Sequence, residues 1–353
     1  MLDVIALVLG GVAVIATALS LVRARAWWIR IWDFPRVQVA LIGILALALG
    51  AVGGSLLDWP TAGFAAPVAA AVGYQVALVW RYTPLAPREV QQTRRDEHGR
   101  RVSLMVSNVL QTNRRAERLL AVVRECDPDL VLCVETDDWW EQRLDALTET
   151  HPHVVRRPLP NTYGMLLYSR LALEKPEVNF LVEPDIPSTQ AGVRLRNGTL
   201  VRLNCVHPRP PVPGESDESL ERDAELLLVG KRVREAREPV IVCGDLNDVA
   251  WSRTTRLFQK VSRLVDPRKG RGFYATFHAR WPGFRYPLDH VFHSDDFRLV
   301  ALRRLDYVGS DHFPVYVVLS HEPAAAAEQE APSAAAKDLD EAAETVAEGR
   351  ARG

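Results

Sequence analysis

The apolar residues of this chain are crowded between Leu2 and Trp80, and that crowding limits what the first part of the molecule can be. Leu2 to Val22 reads LDVIALVLGGVAVIATALSLV, with Asp3 as its only charge. About 20 such residues cross roughly 30 Å of hydrocarbon as a helix. Val37 to Leu57 repeats the pattern with no charge and one glutamine, Gln38. Phe64 to Trp80 is shorter and is interrupted by Pro67 and Gln75, so it is the weakest span. Proline and glycine are tolerated in membrane helices because neighbouring helices re-satisfy the backbone. A cleaved leader would account for the first segment alone, but that segment lacks a basic start and a second span follows it.

Charges between the spans set an orientation. The stretch RARAWWIRIWDFPR carries Arg23, Arg25, Arg30 and Arg36, whereas Asp58 to Gly63 has no Lys or Arg. After the third span come Arg81, Arg88, Arg94, Arg95, Arg100 and Arg101. The excess of cations on cytoplasmic loops then places the first loop and everything after Arg81 in the cytoplasm of a cell (plasma) membrane. If the third span lies in the interface instead, the rest is extracytoplasmic. Trp27, Trp28 and Trp32 suit either an interfacial belt or ordinary helix packing.

The remainder is a charged, mixed sequence long enough to bury a large core. Across all 353 residues the net charge is −1, which gives no support to a bulk electrostatic binder of nucleic acid. Cys126, Cys133, Cys205 and Cys243 form no CxxC pair, so a zinc knuckle is excluded, and buried free thiols are expected. From Val102 short apolar runs alternate with amphipathic stretches. VSLMVSN, LVLCVE and GMLLYS read as strands, with a helix capped by Asn113 running to about Cys126. AGVRLRNGTLVRLNCVH is a hairpin closed at Asn197-Gly198. A helix from about Ser219 to Arg237, the strand PVIVCGD, a helix near Arg253 to Val261, and the strands LDHVFH and HFPVYVVL complete a layered α/β or α+β domain. After about Ser320 the Ala/Glu-rich sequence lacks aromatics and reads as a disordered or transiently helical tail. The expected organisation is therefore an anchor over 1–83, a basic linker over 84–101, a catalytic domain over 102–320 and a tail over 321–353.

Polar groups recur where apolar strands end: Asn108, Glu135, His207, then Asp245 and Asn247 in GDLN, Asp289 in LDHVF, and Asp311-His312 in GSDHFP. A strand delivers its last side chain to the sheet edge with little freedom, which is the support a preorganised site needs. Singly, each has a bland reading as a turn former or a solvated group. As an ordered set they carry more.

That set, SLMVSNV, LVLCVET, GMLLYSR, NCVHPRPP, VIVCGDLND, LDHVF and GSDHFPV, resembles the endonuclease/exonuclease/phosphatase superfamily over roughly Val102 to Ser320. The resemblance implies a four-layer sandwich of two mixed β-sheets flanked by helices. It implies metal positions at Glu135, Asn108 and Asp311, with Asn108 supplying a neutral oxygen. By the same resemblance Asp245 orients or deprotonates water, Asn247 contacts phosphoryl oxygens, Asp289 partners His312, and His207 matches a second histidine. Tyr163 is the candidate for a catalytic tyrosine, Tyr168 reads as a packed strand residue, and Val134 stands where a glutamine is usual. The chemistry expected is Mg²⁺-dependent (or Mn²⁺-dependent) hydrolysis of a phosphodiester or phosphomonoester by in-line water attack. The apolar spans favour a lipid-like headgroup over nucleic acid, with Arg156, Arg157, Arg194, Arg196, Arg202 and Arg209 as possible phosphate contacts. VHPRPPVPGESDES reads as a specificity loop. A membrane-bound nuclease and an inactive membrane scaffold are the alternatives, and no protein partner follows from the sequence.

Overall fold

The computed structural model of the chain describes residues 1–53, 59–94 and 97–353. Gly54 to Leu57 of the second expected span, Asp58 of the following loop and Arg95 of the basic cluster lie outside them. The chain divides into two compact units, one of Met1–Pro87 with Pro211–Ser219 and one of Arg88–Pro210 with Leu220–Gly353.

The first unit is helical: α1 (Leu2–Leu21), α2 (Trp27–Arg30), α3 (Arg36–Val52) and α4 (Trp59–Val79). Two helices, Leu2–Leu21 and Gly63–Tyr82, are long and apolar enough to cross a membrane; Trp27–Asp33 with Arg36–Val52 counts as a third only as one span bent by 71°. Small residues line the helix contacts, with Ala13, Ala16, Ala40 and Ala46 buried, while Val8, Ile15, Leu41 and Leu45 are exposed. This inside-out distribution is the one that helices packed in lipid adopt. Gln75 is an internal group. Its amide oxygen accepts from Arg36 at 3.0 Å and its nitrogen donates to Thr17 Oγ1 at 2.9 Å, while Arg36 also reaches Ser20 at 3.0 Å and pairs with Asp33. The polar residues that weaken the spans as sequence thus satisfy one another across helices. The Pro-rich stretch after His207 groups here too: Trp27 N donates to Asp217 O and Ser219 N to Arg25 O, both at 2.9 Å. Pro211 to Ser219 is therefore a segment of the helical unit rather than the specificity loop expected of it.

The second unit contains β1 (Arg101–Asn108), α5 (Ala116–Cys126), β2 (Leu130–Val134), α6 (Asp138–Leu144), β3 (His153–Arg157), β4 (Met165–Ser169), β5 (Leu173–Phe180), β6 (Pro187–Arg194) and β7 (Leu200–Cys205). It continues with α7 (Leu220–Arg234), β8 (Val240–Asp245), α8 (Arg253–Ser262), β9 (Asp289–His293), β10 (Phe297–Arg304), β11 (Val315–His321) and α9 (Ala336–Arg352). One sheet has six strands in the order β10-β11-β1-β2-β4-β3, the other five in the order β5-β6-β7-β8-β9. Both are mixed: β1 runs parallel to β2, and β7 to β8.

Strand alternation builds the layers. Val102, Leu104 and Val106 of β1 point into the core between the sheets with Leu203, Ile241 and Cys243, while Met105 points the other way onto Leu119, Val123 and Trp140 of α5 and α6. On the far side Val240, Val242 and Phe292 meet Leu227, Phe258 and Val346 of α7, α8 and α9. The result is the expected helix–sheet–sheet–helix stack. All four cysteines are buried and free.

Several expectations are corrected. Asn113 does not cap α5: its amide donates to Val109 O at 3.1 Å and Val308 O at 3.3 Å, and the helix starts at Ala116. The Asn197-Gly198 corner is a three-residue connection in which Leu195 N donates to Thr199 O, and only Gly198 has a positive φ (+89°). That is a type I turn followed by a left-handed glycine. The linker ends early, since Val90 is buried in the inter-sheet core and Glu89 pairs with Lys269 at 2.8 Å. The tail is ordered. Residues Ala336–Arg352 form α9, which buries Ala342 and Val346 and pairs Lys260 with Asp338 at 3.1 Å. Composition undervalued it because a few small apolar side chains suffice when a groove is ready to receive them. We predict that Ala342→Asp, which buries a carboxylate at that contact, destabilises the protein by about 3 kcal/mol or releases α9 to proteolysis. Thermal unfolding and limited digestion measure it, and an unchanged melting curve with an intact tail would show that the docking is unimportant.

Candidate active site

The catalytic edge is made where β1, β2, β8 and β9 end or begin. Asn108 closes β1 and Glu135 follows β2; the parallel pairing Asn108↔Val134 sets them side by side. Asp245 closes β8 opposite Asp289, which opens β9. Gly244 makes that edge possible. Its φ is +142°, and a Cβ there would lie 1.9 Å from Val206 O, so only glycine lets β8 approach β7 this closely.

Hydrogen bonds tie the two sheets together at this point. Asn108 Nδ2 donates to Glu135 Oε1 at 2.6 Å and to Asp245 Oδ2 at 3.0 Å, while Asn108 Oδ1 accepts from Leu110 N at 3.0 Å. Asn108 therefore presents its amide NH₂ to the carboxylates, not the neutral oxygen expected of it. Asp245 Oδ1 accepts from Asn247 N at 2.9 Å. His312 Nδ1 lies 2.7 Å from Asp289 Oδ2, and its Nε2 lies 3.5 Å from Asp245 Oδ2. The Asp289 partnership with His312 is thus present in the geometry. One amide hydrogen of Asn247 goes to Pro208 O at 2.9 Å, leaving the other for a ligand. The Tyr163 ring stands 5.4 Å from His207, under the Arg209 guanidinium at 5.1 Å. Tyr168 instead packs in β4 beneath α5 and α6.

The electrostatics divide the histidines. Burial disfavours charge on His312, but Asp289, Asp245 and Asp311 outweigh it and push its pKa up to about 10. Burial dominates at His207 and takes its pKa down to about 4. At neutral pH the first is an imidazolium and the second a neutral ring, whose Nδ1 is buried without a hydrogen bond. Burial also raises Asp245, against the pull of His312. Glu135 is pushed up to about 7 by burial, with the Asn108 hydrogen bond and His312 opposing and Asp311 and Asp245 adding to the rise.

Four acids thus converge on one charged histidine. Glu135 has no guanidinium or ammonium partner, and Asp289 Oδ1 is buried with no hydrogen bond. This surplus of buried carboxylate fits a divalent cation, which takes oxygen ligands and would remove the cost of ionising Glu135. The Glu135 carboxylate, with the charges of Asp311 and Asp245 close by, has oxygen to offer such an ion. Asn108 would fit only after its amide turned over and gave up the Leu110 contact. Asp245, Asp289 and His312 also lie within ligand distance of one another. A charged His312 bridging two carboxylates accounts for that group, because an imidazolium has no lone pair for a metal.

Sequence reasoning missed several supports. Gln111 N reaches Glu135 Oε2 at 3.4 Å, and the Phe277 ring packs 5.0 Å from His312. Arg222 of α7 is fully buried and donates to Asn247 O at 2.7 Å, fixing the turn after Asp245. The charged, helical run around Arg222 gave no sign of this; an arginine followed by Asp223 looks like a solvated face.

The profile of the Endonuclease/Exonuclease/phosphatase family matches residues 105–312, more than half of the chain. The chain belongs to that family. Its members are hydrolases of phosphoester bonds and are typically dependent on divalent metal. No curated protein matches the sequence. Solved structures share the fold at low identity. The endonuclease/exonuclease/phosphatase from Beutenbergia cavernae DSM 12333 is 20% identical with a TM-score of 0.52, covering 63% of this chain and 72% of its own. The D. rerio TDP2 complexed with single-strand DNA product is 18% identical with a TM-score of 0.52, covering 62% of this chain and 99% of its own. The human Nocturnin catalytic domain with bound sulfate is 16% identical with a TM-score of 0.51, covering 67% of this chain and 96% of its own.

The Glu135 shift predicts a pH signature. The unfolded chain ionises this group near the ordinary 4.5, the metal-free fold only near about 7. Metal-free stability therefore falls as pH rises from the lower value through the higher, by about 3 kcal/mol at most. Glu135→Gln should be more stable than the parent at pH 8 without metal and indistinguishable at pH 4, by thermal unfolding in a chelator. Equal differences at both pH values would show that burial does not disfavour the Glu135 charge.

Proposed function

We propose that the chain is a membrane-anchored, Mg²⁺-dependent phosphodiesterase whose family site cleaves a phosphoester by in-line attack of water. The observation that carries this reading is Asp245, buried with one oxygen shared between Asn108 and His312 and the other fixed by Asn247 N. A carboxylate so held cannot rotate away and is placed to take a proton from water. Asp289 keeps His312 charged, so an imidazolium faces the developing phosphoryl charge without having to reorganise. The free amide hydrogen of Asn247 adds a second donor. His207, neutral and backed by Tyr163, is positioned to hydrogen-bond a ligand rather than to carry charge. Glu135 and Asp311 would hold Mg²⁺, which when bound supplies charge neutralisation at the phosphoryl oxygens.

Helices with apolar outer faces and satisfied polar interiors support membrane residence for the N-terminal unit. The arginines after Leu21 and after Trp80 support a cytoplasmic catalytic domain. One observation favours a nuclease as the second reading: Arg115, Arg118 and Arg143, with Arg114 paired to Asp137, line a pocket of about 540 Å³ that also holds Trp139 and Glu117, and an aromatic ring among guanidinium groups suits a nucleic-acid strand.

The test is hydrolysis by full-length protein in nanodiscs, with and without Mg²⁺. Substrates are bis(p-nitrophenyl) phosphate, single- and double-stranded DNA, RNA, sphingomyelin and phosphoinositides. Chelation should abolish turnover. Asp245→Asn keeps the shape but removes the base, and should lower kcat at least about a hundredfold with little change in KM. A folded wild type that hydrolyses none of these would favour the inactive scaffold.

A further inference from the structure

Between α8 and β9 the chain makes a loop that departs from the surface in composition. Trp281 and Phe284 are 62% and 60% exposed, among the largest exposures of any aromatic side chain in the described residues, and Pro282 and Gly283 between them are exposed too. The loop is well formed. His278 N donates to Phe284 O, Phe284 N to Trp281 O, and Thr276 N to Tyr286 O, each at 3.0 Å. The aromatic tip is thus held out by a closed frame, at the cost of leaving two large apolar side chains in water.

The base of this loop is part of the catalytic edge. Ala279 N donates to Asp311 O at 2.6 Å, Phe277 pairs with His312 through the backbone, and Phe313 N donates to Thr276 O at 3.0 Å. Three guanidinium groups stand around this loop. Arg280 reaches Tyr307 Oη at 3.2 Å and Gly309 O at 3.3 Å; Arg285 donates to Ala279 O at 3.1 Å and lies over Phe313; Arg304 lies over the same ring. None of the three forms an ion pair with a carboxylate among the described residues.

We propose that Trp281 and Phe284 dock the catalytic edge onto a phospholipid surface, and that the diester cleaved belongs to a membrane lipid. This rests on the phosphodiesterase reading above and names its substrate class. The tip is apolar, with exposed Pro282 and Gly283 between the two rings, and the chain carries helices apolar enough to cross a membrane, which together favour lipid over nucleic acid. At a bilayer Trp281 and Phe284 would sit at the acyl boundary, and Arg280, Arg285 and Arg304, held by carbonyls and a tyrosine hydroxyl, at phosphate level. Arginines without a carboxylate partner among the described residues also suit an anionic leaflet. Lipid phosphodiesters lie at the depth such an anchor reaches, beside the metal-side residue Asp311.

The four native cysteines are buried, so a thiol-reactive nitroxide will label Trp281→Cys or Phe284→Cys selectively in the full-length protein. In nanodiscs of phosphatidylcholine and phosphatidylglycerol the label should collide with dioxygen in preference to a water-soluble nickel chelate. Preference for the chelate at both positions would overturn the proposal. So would a label that is immobilised by single-stranded oligonucleotide and not by bilayer. In parallel, the Trp281→Ser/Phe284→Ser variant should lose at least about tenfold in the ratio of bilayer-lipid to soluble-diester hydrolysis. An unchanged ratio, or a wild type that cleaves the soluble diester but no membrane lipid, also overturns it. Failure to cleave even the soluble diester would instead count against the phosphodiesterase reading, while the label still reports where the loop lies.

Discussion

Two parallel strand pairs facing each other across one apolar core fix where the chemistry of this protein sits. β1 with β2 and β7 with β8 carry their polar residues at their C-terminal ends, and the core of Leu104, Val106, Leu203 and Ile241 holds the pairs in contact. Neither sheet can slide by one residue without turning that apolar set outward. The hydrogen bond from Asn108 to Asp245 then joins an end of one sheet to an end of the other. A site spanning two sheets inherits the stiffness of both, which a site built on loops would lack.

The same burial that makes the edge rigid makes it electrostatically uneasy. Glu135, Asp245, Asp289 and Asp311 gather around one positive ring, and the neutral His207 does not help. Without metal the surplus is relieved by protonation, as the rise of Glu135 to about 7 indicates. Stability is given up locally to keep these carboxylates together at one edge. The backbone shows a similar tension: Glu135 and Asn247 both sit at positive φ, 60° and 49°. For residues other than glycine this costs of order 1 kcal/mol each and persists only where surroundings enforce it. At Glu135 the enforcing groups are Asn108 and Gln111, at Asn247 Arg222 and Pro208.

The two-sheet architecture was legible, and so was the gathering of the polar strand ends at one edge, because continuous apolar strands ending in Asn, Glu, Asp and His leave little freedom for where those side chains go. Other elements were not legible, for identifiable reasons. β3 and β5 are edge strands with mostly exposed side chains, so no alternation marks them. Asn113 had the right residue type for a cap, but its Oδ1 accepts from Arg115 N and its amide donates to Val109 O and Val308 O, and the helix begins only at Ala116. α9 is too weakly apolar to fold alone, and its groove between α7 and α8 is invisible in one dimension. The orientation of the Asn108 amide was likewise decided by Leu110 and the two carboxylates, not by residue type.

The loop HARWPGFRY shows the opposite failure, a signal present in the sequence that local reasoning discounts. Single exposed aromatics are ordinary on protein surfaces. What distinguishes Trp281 and Phe284 is that the fold holds them outward while clamping their base to Asp311 and His312. An aromatic pair seeking only burial would have folded back onto Phe313, where Arg285 and Arg304 lie instead. The Arg285 and Arg304 guanidinium groups thus cover the Phe313 ring, and Trp281 and Phe284 are left to whatever meets this edge from outside.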